Sequence, residues 1–271
     1  GFHVLYNTLR CLLMLPTLGL MARFCNWLLP DRPDINAVAK ARHLDPTALS
    51  TPSLALSNAV RETLRIGDLV DSMLGHLQDA LRGSQPILAK DLRRIDDDID
   101  ALYTAVKLYL AQVPQEDLSE ADSHRWAEII EFSSNLERAG DLIERMLGKI
   151  QDEKTAQRHA FSESGLEELT ALHERLLGNL RLGLSVFFSA DADAARQLLR
   201  EKRRFRIQER RLTHLHVERL HRQVVKSLET SSLHLELIDD MKRLNSLFCA
   251  SAYAVLGNQD TGALLAEEGG E

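Results

Sequence analysis

Two pairs of carboxylates stand one helical turn apart in this chain: Asp96 with Asp100, and Glu137 with Asp141. At i and i+4, both members of a pair lie on one helix face. Oxygen donors grouped in this way suit hard or borderline cations: Mg, Mn, Ca or oxidised iron. Without a cation, four inward carboxylates would repel one another in a low-dielectric bundle. There is a plainer alternative, because Asp96-Asp97-Asp98 is an acid run and such runs form wet helix faces. The second pair sits in a phrase that occurs twice, Arg138-Ala139-Gly140-Asp141-Leu142-Ile143 and Arg65-Ile66-Gly67-Asp68-Leu69-Val70. Asp68 is thus a fifth candidate, although Leu64 stands where its partner acid would be.

A second chemistry is basic. From Arg196 to Arg222 there are ten Lys and Arg residues, with His214, His216 and His221 among them. Arg203, Arg204, Arg206, Arg210 and Arg211 are too dense to share one helix face. They suit anionic lipid headgroups, phosphate or an acidic partner protein. The alternative is a solvated helix paired with Glu201, Glu209 and Glu218. A net charge of −7 and the lack of a recognition motif argue against nucleic acid. No nucleophile–base pair, glycine-rich phosphate loop or zinc motif is present in the sequence. One Glu-x-x-His, Glu218 to His221, falls short of the two a di-iron bundle wants. The chain is not read as an enzyme.

These residues need helices to hold them. Of seven prolines, none follows Pro114, and no segment shows sustained period-two alternation. Apolar positions recur at helical spacing over 52–82, 86–112, 120–152, 164–188, 192–227 and 232–256. Thr51-Pro52 opens the first helix, Gly83-Ser84 ends it and Pro86 opens the second. Ser164 with Glu167 makes a capping box for the fourth. Gly67 and Gly140 lie inside helices, where they permit close packing. Long helices on short turns pack antiparallel. The natural division is two three-helix bundles, 52–155 and 156–258, with a tail at 259–271.

The first 30 residues differ. Cys11 to Ala22 is an unbroken apolar run, followed by Arg23, Phe24 and Trp27. A cationic and aromatic flank marks the cytoplasmic edge of a membrane span, so residues 1–30 read as the end of a transmembrane helix. Arg23 and Trp27 would lie at the interface. Residues 31–51, with Pro33 and Pro46, read as a linker. Cys11, Cys25 and Cys249 form no disulfide framework, which points to a reducing compartment.

Four stretches together resemble the C-terminal part of bacterial sodium/phosphate cotransporter family proteins, with a PhoU-like cytoplasmic domain. They are His3 to Asn7 with the run ending in Leu28-Leu29-Pro30; Leu44-Asp45-Pro46 with Thr51 to Leu56; Leu136 to Asp141; and Ser231 to Glu236 through Lys242 to Ser246. The resemblance implies an all-α fold, the end of a transmembrane helix followed by two tandem antiparallel three-helix bundles. It also implies sodium-driven phosphate uptake, with the PhoU-like part regulating it. The implied partners are an upstream membrane domain, the membrane, sodium and phosphate, and a homodimer is allowed. The implied place is the inner membrane, multi-pass, with the helical domain in the cytoplasm. PhoU-like proteins can bind metal clusters through acid-x-x-x-Asp motifs. Asp96/Asp100 and Glu137/Asp141 match that motif, and Asp68 matches its second half. In the second bundle Lys242 and Ser246 replace the acids, and Glu209 faces Thr213 at i+4. At most one divalent-metal or iron cluster is therefore expected, in the first bundle. The competing reading is a membrane-tethered signalling or scaffold module without transport activity.

Overall fold

The computed structural model describes His3, Tyr6 and residues 41–83, 87–157, 161–221 and 231–257. The chain divides into two compact units, Gly1–Val38 and Ala39–Glu271. In the first, His3 and Tyr6 are helical. The expected span over residues 1–30, its interface residues Arg23 and Trp27, and most of the linker lie outside the described residues. Among the described residues no helix is long and apolar enough to cross a membrane.

The second unit is all-helical, with no strand among the described residues. Among the described residues its long helices are α1 Pro52–Arg82, α2 Ala89–Leu110, α3 Glu120–Gln157, α4 Glu163–Ser189, α5 Ala192–His221 and α6 Ser231–Phe248. Their ends have local causes. Pro52 takes the first turn of α1, and Gly83 ends it at φ 76°, a left-handed conformation that glycine adopts freely. Ser119 Oγ accepts from the Asp122 amide at the start of α3. Asp191 accepts from the amides of Asp193 and Ala194 at the start of α5.

Three details differ from the sequence reading. The second helix begins at Ala89, because Leu88 is extended. The cap of α4 is Ser162, which accepts from Gly165 N at 3.2 Å, two residues before the expected Ser164. The last helix breaks at Cys249 and resumes over 250–257. Gly183 of α4 explains how the break is accommodated. A Cβ there would lie 2.4 Å from the Phe248 carbonyl oxygen, and Ser251 Oγ donates to Gly183 O. Only a hydrogen lets the two backbones approach so closely.

α1 packs against α2, α3 and α4; α3 against α2 and α6; α4 against α5 and α6; and α5 against α6. The two bundles therefore meet along α1–α4 and α3–α6. Most of their buried apolar side chains form one cluster, running from Ile66 and Met73 of α1 through Leu136 and Leu147 of α3 to Leu176, Phe205 and Leu244, and a smaller one around Val186, Leu198 and Ala252 lies within the second bundle. Polar contacts fix the seams. His173 Nε2 lies 2.8 Å from Leu74 O, and burial holds the His173 pKa below its usual value. Lys149 reaches both Glu236 and Asp240 at 3.1 Å.

The chain ahead of α1 is tied down as well. Pro46–Ser50 forms a short 3-10 turn with Ala48 buried. Tyr109 of α2 donates its hydroxyl to Asp45 O at 2.8 Å. The fully buried Glu62 carboxylate accepts from Arg42 N at 3.0 Å and His43 N at 2.8 Å, and pairs with Arg65. A buried carboxylate demands such partners.

Candidate metal centre

α2 and α3 run side by side, and Gly140 lets them come close. A Cβ on Gly140 would lie 3.1 Å from Ile99 Cδ1 and 3.4 Å from Asp96 Oδ1. The contact brings the two acid pairs together across one crease. Carboxylate oxygens of Asp100, Glu137 and Asp141 all lie within 4.8 Å of one another. Asp100 and Asp141 are exposed and Glu137 is half-buried, so water can complete a coordination shell.

Asp96 sits one turn along α2, deeper in the crease. Its Oδ1 is buried and has no hydrogen-bond partner. Burial, then the charges of Glu144, Asp100, Asp141 and Asp97, push its pKa up to about 7. Burial also raises Asp100, helped by Asp141, Asp97 and Glu144. Glu137 is raised by burial, Asp141 and Asp100, against the opposing pull of Arg138 and Lys107. Burial is the largest cause of each shift, and the neighbouring carboxylates add to it in the same direction. A buried oxygen without a donor beside three converging carboxylates fits a cation. Asp96, Asp100, Glu137 and Asp141 could hold one; the chemistry of the donor set is that of a hard cation.

Glu144 was not singled out in the sequence. It follows Glu137 and Asp141 at i+7 and i+3 on the same stripe, which is where a sequence signal existed. Asp68 is exposed on α1 and is not part of the converging group. The repeated phrase explains why. In α3 its glycine faces α2, whereas Gly67 of α1 faces α4, where a Cβ would lie 2.3 Å from Leu184 Cδ2. Three residues on, Asp71 meets Arg181 of α4 at 2.9 Å. The second copy of the phrase thus leads to an ion pair and not to an acid cluster.

The second bundle is built differently at the matching places. Lys242 Nζ lies 3.9 Å from Glu209 Oε1, and Glu209 is buried. Elsewhere in it, the buried rings of His216 and His234 stack at 4.4 Å, with Glu168 Oε2 3.5 Å from His234 Nε2. The sequence reading noted no such pair. The five candidate arginines of α5 are all exposed. Arg204 pairs with Glu201 at 2.5 Å.

Residues 63–150 match the PhoU domain, so a PhoU domain is present, and it contains the whole acid crease. The chain is 56% identical over 259 residues to a protein of Escherichia coli K12 named "Putative inorganic phosphate export protein YjbB". A protein of the same name from Salmonella typhimurium LT2 is 55% identical over 259 residues. Each alignment covers 96% of this chain and 48% of the relative. The chain therefore spans about half the length of the curated relatives it matches. No solved structure matches it. The relatives' name concerns phosphate transport, as the resemblance implied, but it gives export where uptake was expected. The relatives are named for export of inorganic phosphate, not for sodium-dependent uptake. The competing expectation, a helical module without transport, gains nothing from them.

Proposed function

We propose that this chain is the PhoU-domain part of a phosphate export protein, and that a cation in the α2–α3 crease is how the domain regulates export. The observation that carries the first half is 56% identity, over 96% of the chain, to a protein named for inorganic phosphate export. The second half rests on the convergence of Asp100, Glu137 and Asp141 beside the unpartnered Asp96 oxygen. A bound cation would neutralise these carboxylates and bridge α2 to α3. That bridge would link the crease to the chain ahead of α1, because Tyr109 of the same α2 holds Asp45. The reading includes a membrane domain as partner and an inner-membrane location with the helical unit in the cytoplasm. It is supported by the apolar run Cys11 to Ala22 with Arg23 and Trp27 behind it.

The test uses the complete gene in cells stripped of their own phosphate exporters and loaded with radiolabelled phosphate. Efflux above the empty vector is expected, and its absence overturns the export reading. Glu137→Ala with Asp141→Ala should remove near-stoichiometric metal from the purified protein and change the efflux rate. Equal metal in mutant and parent rules out the cation. Lost metal with unchanged efflux rules out its regulatory role. A reporter fused after Glu271 should be cytoplasmic, and a periplasmic signal overturns the orientation.

A further inference from the structure

The outward face of α5 carries exposed arginines from Arg200 to Arg211, about 17 Å of helix. Arg200, Arg203, Arg210, Arg211 and His214 are exposed around Ile207, at i−7, i−4, i+3, i+4 and i+7 from it. Ile207 is itself 62% exposed. The two acids in this stretch do not neutralise the face. Glu201 is taken by Arg175 at 3.2 Å and Arg204 at 2.5 Å, and Glu209 is buried next to Lys242. Among the described residues no ion pair or hydrogen bond engages the side chains of Arg203, Arg206, Arg210 or Arg211.

This pattern runs against the chain as a whole, whose net charge is −7. It is also a flat helix face. The polar groove beside it, lined by Arg175, Gln197 and Gln208, opens between α4 and α5. We propose that the α5 face around Ile207 rests on an anionic bilayer surface, with the arginines at the headgroups and Ile207 at their inner edge. Spread guanidinium groups meet a charged surface without needing one fixed geometry. A central aliphatic residue ringed by arginines suits an interfacial helix face. The choice of a bilayer over an acidic protein rests on the membrane partner proposed above, which keeps a bilayer within reach of the chain.

The test labels the full chain with a bimane fluorophore at Ile207→Cys, after Cys11→Ser and Cys25→Ser. Cys249 is fully buried, and burial pushes its thiol pKa up to about 12, so it stays unlabelled. The labelled protein is mixed with vesicles of brominated phosphatidylcholine, with or without phosphatidylglycerol. Bromine quenching is expected only with phosphatidylglycerol, and it should vanish near 1 M salt, where the Debye length is about 3 Å. A label at Leu108→Cys, an exposed site on α2, should stay unquenched. Replacing Arg203, Arg206, Arg210 and Arg211 by Gln should weaken the association about five-fold per residue. No quenching at 207 overturns the proposal and leaves the face to an acidic protein. Equal quenching in neutral vesicles, at 108, or in the four-fold variant overturns it equally.

Discussion

Replacing Asp96 by asparagine removes a charge that the α2–α3 crease resists. The folded protein raises this carboxyl from 3.8 to about 7. The folded state therefore binds the proton more tightly than the unfolded chain does. Stability from this group is fully present below its unfolded pKa and is lost as pH rises towards the folded one. Three pKa units correspond to about 4 kcal/mol at full strength. The crease is open to water along one side, and screening reduces this to about 1–2 kcal/mol. Asp96→Asn cannot ionise and keeps the shape. Its stability gain over the parent should be near zero at pH 4, grow through pH 5–6, and level off above about 7. Urea denaturation at a series of pH values, in chelator, reads the difference directly. Adding Mn²⁺ or Mg²⁺ at pH 8 should then stabilise the parent more than the variant, because the cation neutralises what the substitution removes. A gain as large at pH 4 as at pH 8, or an Asn variant less stable than the parent in chelator at pH 8, would refute the electrostatic account.

Two further substitutions probe the scaffold. Gly183→Ala and Gly178→Ala lie five residues apart on α4, and they should have opposite signs. A Cβ at 183 meets the Phe248 carbonyl at 2.4 Å, whereas one at 178 meets nothing within 4 Å. The first should cost about 2 kcal/mol and the second should gain about 0.5–1 kcal/mol from helix propensity, both read from denaturation midpoints. Glu62→Ala leaves the amides of Arg42 and His43 without their acceptor. It should cost about 3 kcal/mol, and hydrogen exchange at residues 42–43 should speed up while exchange in α3 stays slow.

How much of this was legible depends on what a helical period records. It reports which side of a helix is apolar, not which partner will cover it. The start at Pro52 and the stop at Gly83 were readable because each acts through its own backbone. The break at Cys249 was not, because it carries no glycine or proline. It is accommodated by Gly183, more than sixty residues earlier. The acid pairs could be read as pairs, and Glu144 could have been added from its i+7 spacing. The fate of Asp68 could not be read. Nearly identical phrases in α1 and α3 turn their glycines towards different neighbours, and only the packing decides that.

The shared apolar cluster has a consequence for how this unit can be divided. Neither bundle owns its interior: α1 gives one flank to its own bundle and another to α4, and α3 does the same with α6. A cut in the connection between α3 and α4 would leave each half with a long oily seam facing water, a surface prone to clumping or to swapping partners. The two halves should therefore melt together as one transition.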